Sequence, residues 1–535
     1  MPNMKTKSII QIVLLLSLAI GDRLAAQQPD FYYEHQFPNE MQFGGTHSLE
    51  IRNDDGGVQC YFVAACDLTM IGYGIGQKDQ PMPARVLKLS PEGELLGEML
   101  MNEDGRSSSI ISLFHDPSDS KYSLAVGIIV DSTSTYEKPY LAKFDVDMNL
   151  LWHKEFELPE AYHADALTGG RSLMDSHGDI VFCTFPLHVS SYLSNLLYMR
   201  FSSDGEMLAM GESPLPSNLS FSSQGGLFEY KDGSGDYGQT IVGEPEGSET
   251  PPAYLIRMNR EFSEFSTKDL VRNIHLSITD GIVINDCYSE AFTEGMEDGT
   301  KIMSVRGFRY DGWDPDLWDE VILAMKLDAN DSIVAISFTP HDNDSVRVMA
   351  FCQGMDASAD NKFFICNGVY DPRTWHGGEI SGVNHFTVTK TDNNANIIWR
   401  RYYRDDSRVF QPCTVMATGD GGCLVAGRCL TQDNSETSLF VLKFFEDGSL
   451  SVSNAEALVR PYTFYPNPVS DNLNFQYSPD VQPSQIELYD LQGRMVLTQS
   501  GSLEQLNLQG LSAGEYLMKV TLDNGKAFTD KVVKQ

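Results

Sequence analysis

Two segments of the sequence place aromatic rings and acidic side chains close together. The first lies at 310–319 and the second at 370–376, and together they hold three of the five tryptophans. Flat rings stack on the C–H faces of sugars, and carboxylates accept hydrogen bonds from hydroxyl groups. The pattern predicts a ligand-binding surface formed by Tyr310, Trp313, Asp316, Trp318, Tyr370, Trp375 and His376.

The same segments allow a catalytic interpretation. A pair of carboxylates can act as acid and base on a glycosidic bond, provided that the two converge. The candidates would be Asp311, Asp314, Asp316 and Asp319, with His376 as a further partner. If they do not converge, binding is favoured. If each tryptophan packs only on its own sheet, there is no site and the protein is a structural component. We favour a non-catalytic binding or adhesion protein and assign no catalytic residue.

Motifs for metal-dependent or nucleophilic chemistry are absent from the sequence. It contains no H-E-x-x-H, C-x-x-C, G-x-S-x-G or phosphate-loop pattern. The segment at 145–156 lacks the Gly and the Glu that a calcium loop needs, because Leu150 and Phe156 occupy those positions. We interpret Asp145–Asn149 and Asp392–Asn396 as hairpin turns, and we predict no metal site and no cofactor.

Composition and charge narrow the class of protein. The 535 residues carry 39 Lys and Arg against 74 Asp and Glu, a net charge of −35. Such a surface repels phosphate backbones, so nucleic-acid binding is excluded. The nine cysteines are an odd number, so at least one is unpaired within a monomer. We expect the protein to be a monomer. Cys183, Cys366 and Cys423 lie in apolar segments and are predicted to be buried free thiols.

A repeat organises the middle of the chain. A short strand with a basic residue and a following turn recurs seven times, at Lys88, Lys143, Arg200, Arg257, Lys326, Lys390 and Lys443. Each copy follows a polar turn and an apolar strand, most clearly Asp420-Gly421-Gly422 before 424–427. Each unit therefore predicts four strands. Seven such sheets bury both faces when packed radially, so we predict an all-β fold with a seven-bladed β-propeller, and a stacked solenoid is the rival.

The phase of the repeat predicts how the propeller closes. The last unit stops after its basic strand, near Ser453. The segment 31–37 is similar to 398–403, which closes an earlier unit. We therefore expect residues 31–37 to complete the last blade and to remove an exposed sheet edge. The repeat resembles one common in propellers of secreted bacterial proteins, which implies a scaffold and no particular reaction.

The N-terminal residues have the pattern of an export signal. Lys5 and Lys7 precede an apolar stretch at 9–20, and small residues lead to a cleavage site after Ala26. Twelve residues rise about 18 Å as a helix, which is too short to span a membrane. We expect a signal peptide at 1–26, the propeller at 27–453, and no transmembrane segment after the signal is removed.

The last 70 or so residues carry the most specific motifs. A YPNP sequence at 465–468 is followed by alternating strands at 486–490 and 514–520 and by a basic-apolar tail at 531–534. Short strands with Gly and Asn turns predict a small immunoglobulin-like β-sandwich at 464–535, after a linker at 454–463. The residues that carry the pattern include Tyr465, Pro466, Asn467, Pro468, Gly493, Gly514, Tyr516 and Lys531.

This block resembles the type A C-terminal sorting domain of type IX secretion substrates. The resemblance implies export through the type IX secretion machinery, to the cell surface of a Gram-negative bacterium or to the medium. Such a domain is a sorting signal, and it does not indicate the activity of the exported cargo protein. For that cargo we expect a glycan or a host or matrix protein as ligand; an extracellular glycan hydrolase or lyase is the alternative.

Overall fold

In the computed structural model, the described residues are 31–36, 43–67, 82–101, 106–130, 137–160, 166–187, 195–213, 219–245, 253–269, 283–310, 318–338, 346–349, 353–370, 375–376, 379–380, 385–405, 408–431, 437–446, 462–477, 483–489, 494–500, 503–522 and 527–535. They form antiparallel β-sheets, so the all-β prediction is confirmed. In this part of the chain, no helix has the length and apolar character needed to cross a membrane. The chain divides into two compact units, Met1–Val452 and Ser453–Gln535.

The first unit starts with β1 (Tyr32–Gln36) and continues in repeated groups of strands that we call blades. Blades 1 to 4 are β2–β5 (Phe43–Arg52, Val58–Asp67, Arg85–Leu89, Leu95–Leu100), β6–β9 (Ser108–His115, Tyr122–Val130, Glu137–Asp145, Leu150–Glu155), β10–β13 (Ala166–Met174, Ile180–Leu187, Leu196–Phe201, Met207–Ser213) and β14–β17 (Leu219–Glu229, Tyr237–Pro245, Ala253–Met258, Phe265–Asp269). In each blade the four strands pair side by side in chain order.

Blades 5 to 7 repeat the pattern with small additions. Blade 5 is β18–β21 (Val283–Gly295, Lys301–Tyr310, Trp318–Leu327, Ile333–Phe338). Blade 6 has a first strand in two pieces, β22 (Val346–Met349) and β23 (Met355–Ala357), then β24 (Phe363–Tyr370), the short hairpin β25–β26 (Trp375–His376, Glu379–Ile380), β27 (His385–Thr391) and β28 (Ile397–Tyr403). Blade 7 contributes β29–β31 (Arg408–Ala417, Cys423–Thr431, Thr437–Phe444).

The fourth strand of blade 7 comes from the other end of the unit. β1 pairs antiparallel with β31, with Tyr32 opposite Leu442 and Gln36 opposite Ser438. The first strand of blade 1 packs in turn against β29 and β30 of blade 7. The prediction that this segment completes the last blade is confirmed, and the structure is a closed seven-bladed β-propeller rather than a solenoid.

The repeated basic residues bind turns of their own blade or of the next one. Each lies in the third strand of its blade and reaches the turns at one end of the sheet. Arg200 binds Asp179 in its own blade and Glu261 in the next one, at 2.7 and 2.9 Å. Lys390 of blade 6 donates to the Gly421 carbonyl of blade 7 at 2.8 Å. The basic residues recur in the sequence because they hold the turns of the blades in place.

The turns and thiols of the propeller follow the sequence prediction. The Asn149 and Asn396 amides donate at 2.8 Å to the carboxylates of Asp145 and Asp392, which closes the two predicted hairpins. Gly421 has a φ of 82°, which its turn requires and which residues with a Cβ rarely adopt. The seven cysteines whose side chains the structure describes are buried free thiols: Cys60, Cys66, Cys183, Cys366, Cys413, Cys423 and Cys429.

The second unit contains two small antiparallel sheets. Its strands are β32 (Tyr462–Tyr465), β33 (Asn472–Tyr477), β34 (Pro483–Tyr489), β35 (Met495–Ser500), β36 (Gln505–Asn507), β37 (Gly514–Leu522) and β38 (Ala527–Lys534). One sheet has the order β32-β33-β36 and the other β35-β34-β37-β38. Side chains of both, such as Leu473 and Met518, enclose a common apolar core. The predicted linker at 454–463 lies mostly outside the described residues, as does the predicted signal peptide.

Candidate functional site

The first predicted aromatic segment connects two strands of blade 5. Tyr310 is the last residue of β19 and pairs with Trp318, the first residue of β20. The connection at 311–317, which includes Trp313 and Asp316, lies outside the described residues, as do the side chains of Tyr310 and Trp318. The structure therefore locates the two ends of this loop and leaves its proposed contacts untested.

The second aromatic segment occupies the same position in blade 6. Tyr370 ends β24, while Trp375 and His376 form β25, which pairs with β26 before the chain enters β27. Both segments therefore connect the second and third strands of neighbouring blades, as the repeat predicts. Their side chains are not among the described ones, so whether they converge on a ligand remains a prediction.

The described side chains instead enclose a cavity in the centre of the propeller. It has a volume of about 510 Å³ and is lined by residues of all seven inner strands: β2, β6, β10, β14, β18, β23 and β29. Six of these strands contribute their last residue, so the cavity occupies the end of the channel near the turns between first and second strands. We call it the channel cavity. It lies at the opposite end of blade 5 from Tyr310, which pairs with Val283 at the start of β18.

Two glutamates of the channel cavity join neighbouring blades. Glu50 of blade 1 accepts a hydrogen bond from Arg52 at 2.6 Å and one from the Gly419 amide of blade 7 at 3.1 Å. Glu229 of blade 4 accepts from the amide and hydroxyl of Ser176 in blade 3, at 2.9 and 2.7 Å. Because both carboxylates already hold their partners, their first role is to lock the blades together.

The Arg52 guanidinium lies directly against Gly419 at the Glu50 seam. A Cβ built on Gly419 would lie 1.7 Å from an Arg52 guanidinium nitrogen. A larger residue at position 419 would therefore displace the Arg52 side chain from its place beside the turn of blade 7.

Asp356 is the third carboxylate of the channel cavity. Its Oδ2 accepts a hydrogen bond from the Ala417 amide of blade 7 at 2.7 Å. Burial between the blades raises the pKa of this carboxyl to about 6, although part of the residue remains accessible from the cavity. Asp356 can therefore exchange a proton near neutral pH.

Two histidines of the channel cavity are neutral at neutral pH. The Leu113 amide donates to His47 Nδ1 at 3.3 Å, and burial lowers the pKa of this imidazole to about 4. Burial also lowers the pKa of His115, against the opposing effect of Glu50. Because Nδ1 of His47 already accepts the bond from Leu113, its Nε2 carries the proton and can donate to a ligand, whereas the neutral His115 ring has one donor and one acceptor.

The low pKa of His47 predicts an acid-sensitive propeller. The unfolded chain binds a proton near pH 6.5 and the folded chain only near pH 4, so the free energy of unfolding falls as the pH drops through this interval. Between pH 7 and pH 5, the free energy of unfolding should therefore fall by about 1–2 kcal/mol less in His47→Asn than in the wild type. Asp356 acts with the opposite sign, because its raised pKa makes the free energy of unfolding rise as the pH falls below about 6.

Urea unfolding at both pH values measures this effect. Exposed His177→Asn is the matched control and should keep the wild-type pH dependence. An unchanged pH dependence in His47→Asn would contradict the assignment.

The described residues show no cluster of three or more His, Cys, Asp or Glu side chains that could hold a metal ion. The sequence pattern does not reveal the channel cavity. The inner strands, which lie about 60 positions apart, contribute two to five lining residues each, and no local motif marks these residues. The one usable signal is their place just before the first turn of each repeat.

The predicted sorting motif lies around the terminal strand of the second unit. The Val533 amide donates to Asn467 Oδ1 at 2.8 Å, and the Val469 amide donates to the Val533 carbonyl at 2.8 Å. Tyr516 donates to the Ser512 carbonyl at 2.8 Å. Gly514 and Tyr516 lie in β37 and Lys531 in β38, whereas Gly493 lies outside the described residues. The YPNP opening and the C-terminal strand are therefore one structural feature.

Comparison with solved structures gives distant similarities. A polysaccharide lyase, Uly1, is 10% identical, with a TM-score of 0.43, over 82% of this chain and 96% of its own. Drosophila Plexin A in complex with Semaphorin 1b gives 8% identity and a TM-score of 0.42, over 78% and 88%. The arabinofuranosidase Arb93A from Fusarium graminearum gives 10% and 0.41, over 69% and 98%. None of the curated proteins compared with the chain matches it.

Family comparison assigns the second unit. Residues 463–535 match the family described as the secretion system C-terminal sorting domain. This agrees with the motifs at 465–468, 486–494 and 514–520 and indicates a protein that is secreted or attached to the outer membrane. Residues 463–535 are a type IX secretion C-terminal sorting domain, carried behind a seven-bladed β-propeller.

Proposed function

We propose that the propeller is a non-catalytic binding protein that type IX secretion delivers outside the cell, and that it binds glycans through the aromatic loops of blades 5 and 6. The observation that carries the proposal is the equivalent position of the two loops. Each connects the second strand of its blade to the third, and the two blades are neighbours in contact. Rings on adjacent loops can hold two successive sugar units.

The charge of the protein supports a neutral or basic ligand. With a net charge of −35, the surface would repel sulfated or uronic-acid polymers. Carboxylates at 311, 314, 316 and 319 could accept hydrogen bonds from sugar hydroxyls beside the tryptophans. A neutral glycan suits this combination better than a polyanion does.

An array of glycans and matrix proteins tests the proposal. We expect neutral glycans to bind, and the Trp313→Ala/Trp375→Ala double variant to lose on the order of tenfold or more in affinity. Trp152→Ala, on the fourth strand of blade 2, is the matched control and should bind like the wild type. Binding that ignores both loop tryptophans, or binding to matrix proteins alone, would refute the glycan proposal.

The second candidate function is a glycan-cleaving enzyme. The observation in its favour is the carboxyl of Asp356, whose pKa of about 6 suits a proton donor. Cleavage of an array glycan that is lost in Asp356→Asn would support the enzyme and overturn the non-catalytic proposal.

A further inference from the structure

Among the described residues, two buried hydroxyl groups of the channel cavity have no hydrogen-bond partner. Ser48 of β2 is 1% exposed and Thr293 of β18 is 3% exposed; both line the cavity, and neither hydroxyl bonds to another residue that the structure describes. A buried hydroxyl without a partner costs free energy, so such groups usually meet a bound molecule or water. The two come from blades 1 and 5, which are not neighbours, so they approach the cavity from different sides.

The lining of the cavity is balanced in charge although the protein is strongly acidic. Its three carboxylates belong to Glu50, Glu229 and Asp356, and its three cationic groups to Arg52, Arg171 and Lys231. Lys231 pairs with Glu229 at 3.1 Å, and Arg52 pairs with Glu50 at 2.6 Å. A charged ligand would have to compete with these pairs, whereas a neutral one would leave them intact.

The remaining lining combines hydrogen-bonding groups with apolar surface. The neutral His47 ring lies beside Phe114, with 6.3 Å between ring centroids and 54° between their planes. Ser112 and Ser172 share a hydrogen bond of 2.7 Å, and Ile111 and Met416 add aliphatic surface. Rings and aliphatic groups accommodate C–H faces, while hydroxyls can donate and accept and the His47 ring can donate from Nε2.

We propose that the channel cavity is a binding site for a small neutral sugar, a monosaccharide or a disaccharide, that uses the Ser48 and Thr293 hydroxyls. A volume of about 510 Å³ falls within the range of small-molecule sites. The site is separate from the aromatic loops and does not depend on the proposed function, because it lies at the opposite end of the blades.

Calorimetric titration of the purified protein tests this site. The probes are glucose, galactose, mannose, arabinose, lactose and sucrose, with glucuronic acid and glucosamine as charged counterparts. We expect at least one neutral sugar to bind, and its charged counterparts to bind more weakly. Ser48→Ala/Thr293→Val should weaken binding about tenfold or more, because each hydroxyl contributes roughly a three- to tenfold effect.

The matched control is Ser213→Ala/Thr389→Val. These positions are 0% and 2% exposed, and their hydroxyls bond to no residue that the structure describes, but neither position lines the cavity. The control and the Trp313→Ala/Trp375→Ala variant should bind the sugar like the wild type. Equal weakening in the two hydroxyl pairs, preference for a charged sugar, or no binding of a neutral sugar would overturn the proposal.

A crystal soaked with the tightest probe gives a result that does not depend on variant folding. Sugar density against Ser48 and Thr293 would support the site. Density elsewhere on the propeller, or only water in the cavity, would refute it.

Discussion

Deletion of residues 31–36 will destabilise the whole propeller and expose the edge of blade 7. β1 is the fourth strand of that blade, and it is the connection through which the first described residues of the chain close the ring. Without it, β31 would present a row of unpaired backbone groups to solvent. We expect the free energy of unfolding to fall by several kcal/mol, which is a large part of the total for a typical domain.

The packing around the start of this strand explains the size of the effect. Phe31 is 3% exposed, and its ring lies 5.8 Å from that of Tyr61 in blade 1. Its carbonyl accepts a hydrogen bond from the Lys443 amide of blade 7 at 3.2 Å. One residue thus joins the last blade to the first. Phe31→Ala alone should cost about 3 kcal/mol, because it removes a buried ring and leaves a cavity.

Denaturant unfolding and hydrogen exchange check this prediction together. Leu151→Ala is the control, because Leu151 is 48% exposed on the fourth strand of blade 2 and should change stability by less than about 0.5 kcal/mol. In the deletion variant the amides of Leu439–Leu442 should lose protection first. If they remain as protected as in the full protein, β1 does not close the ring in solution.

Much of this architecture is predictable from sequence because the blades repeat. The basic residues recur at similar intervals because each must reach the turns of its own or the next blade, as Arg200 and Lys390 do. Closure follows from counting strands, since the last repeat has three and the segment 31–37 supplies one. The sorting domain is predictable for a different reason, namely that its motifs are local and specific.

The channel cavity could not be predicted in the same way. Alternation along a strand tells which side chains share a face, but the inner strands contain register shifts, for example between Gly45 and His47 in β2 and between Ile110 and Ser112 in β6. A shift of one residue reverses the faces that alternation predicts. The side chains that reach the channel are therefore decided by irregularities that hydrophobic patterning does not reveal.

Deletion of residues 463–535 will abolish delivery of the propeller to the cell surface and the medium. The sorting domain has a core of its own and forms a separate compact unit. Among the described strands, β1 completes the last blade of the propeller. We therefore expect the truncated cargo to fold and to accumulate in the periplasm, with the secreted fraction falling below detection.

A smaller deletion tests whether export needs the intact fold of the sorting domain or only the presence of most of its strands. Residues 531–535 include buried Val532, and their backbone holds the opening motif: the Val469 amide donates to the Val533 carbonyl and the Gln535 amide to the Val469 carbonyl, at 2.8 and 2.9 Å. Removing them leaves a gap in the core and frees the YPNP segment. We expect export to fail as completely as in the full deletion, because the machinery would meet a misshapen domain.

Immunoblots of periplasmic, surface and medium fractions from the native host measure this outcome. Thr498→Ala, an exposed substitution on the edge strand β35, should be exported normally. If the protein lacking 531–535 reaches the medium while the full deletion does not, the machinery reads the remaining strands and the terminal strand is dispensable. If the full deletion is itself exported, residues 463–535 do not direct this propeller out of the cell. The first and last residues of the domain are in contact in the folded structure. We therefore predict that the secretion machinery recognises this folded contact and not the YPNP sequence alone.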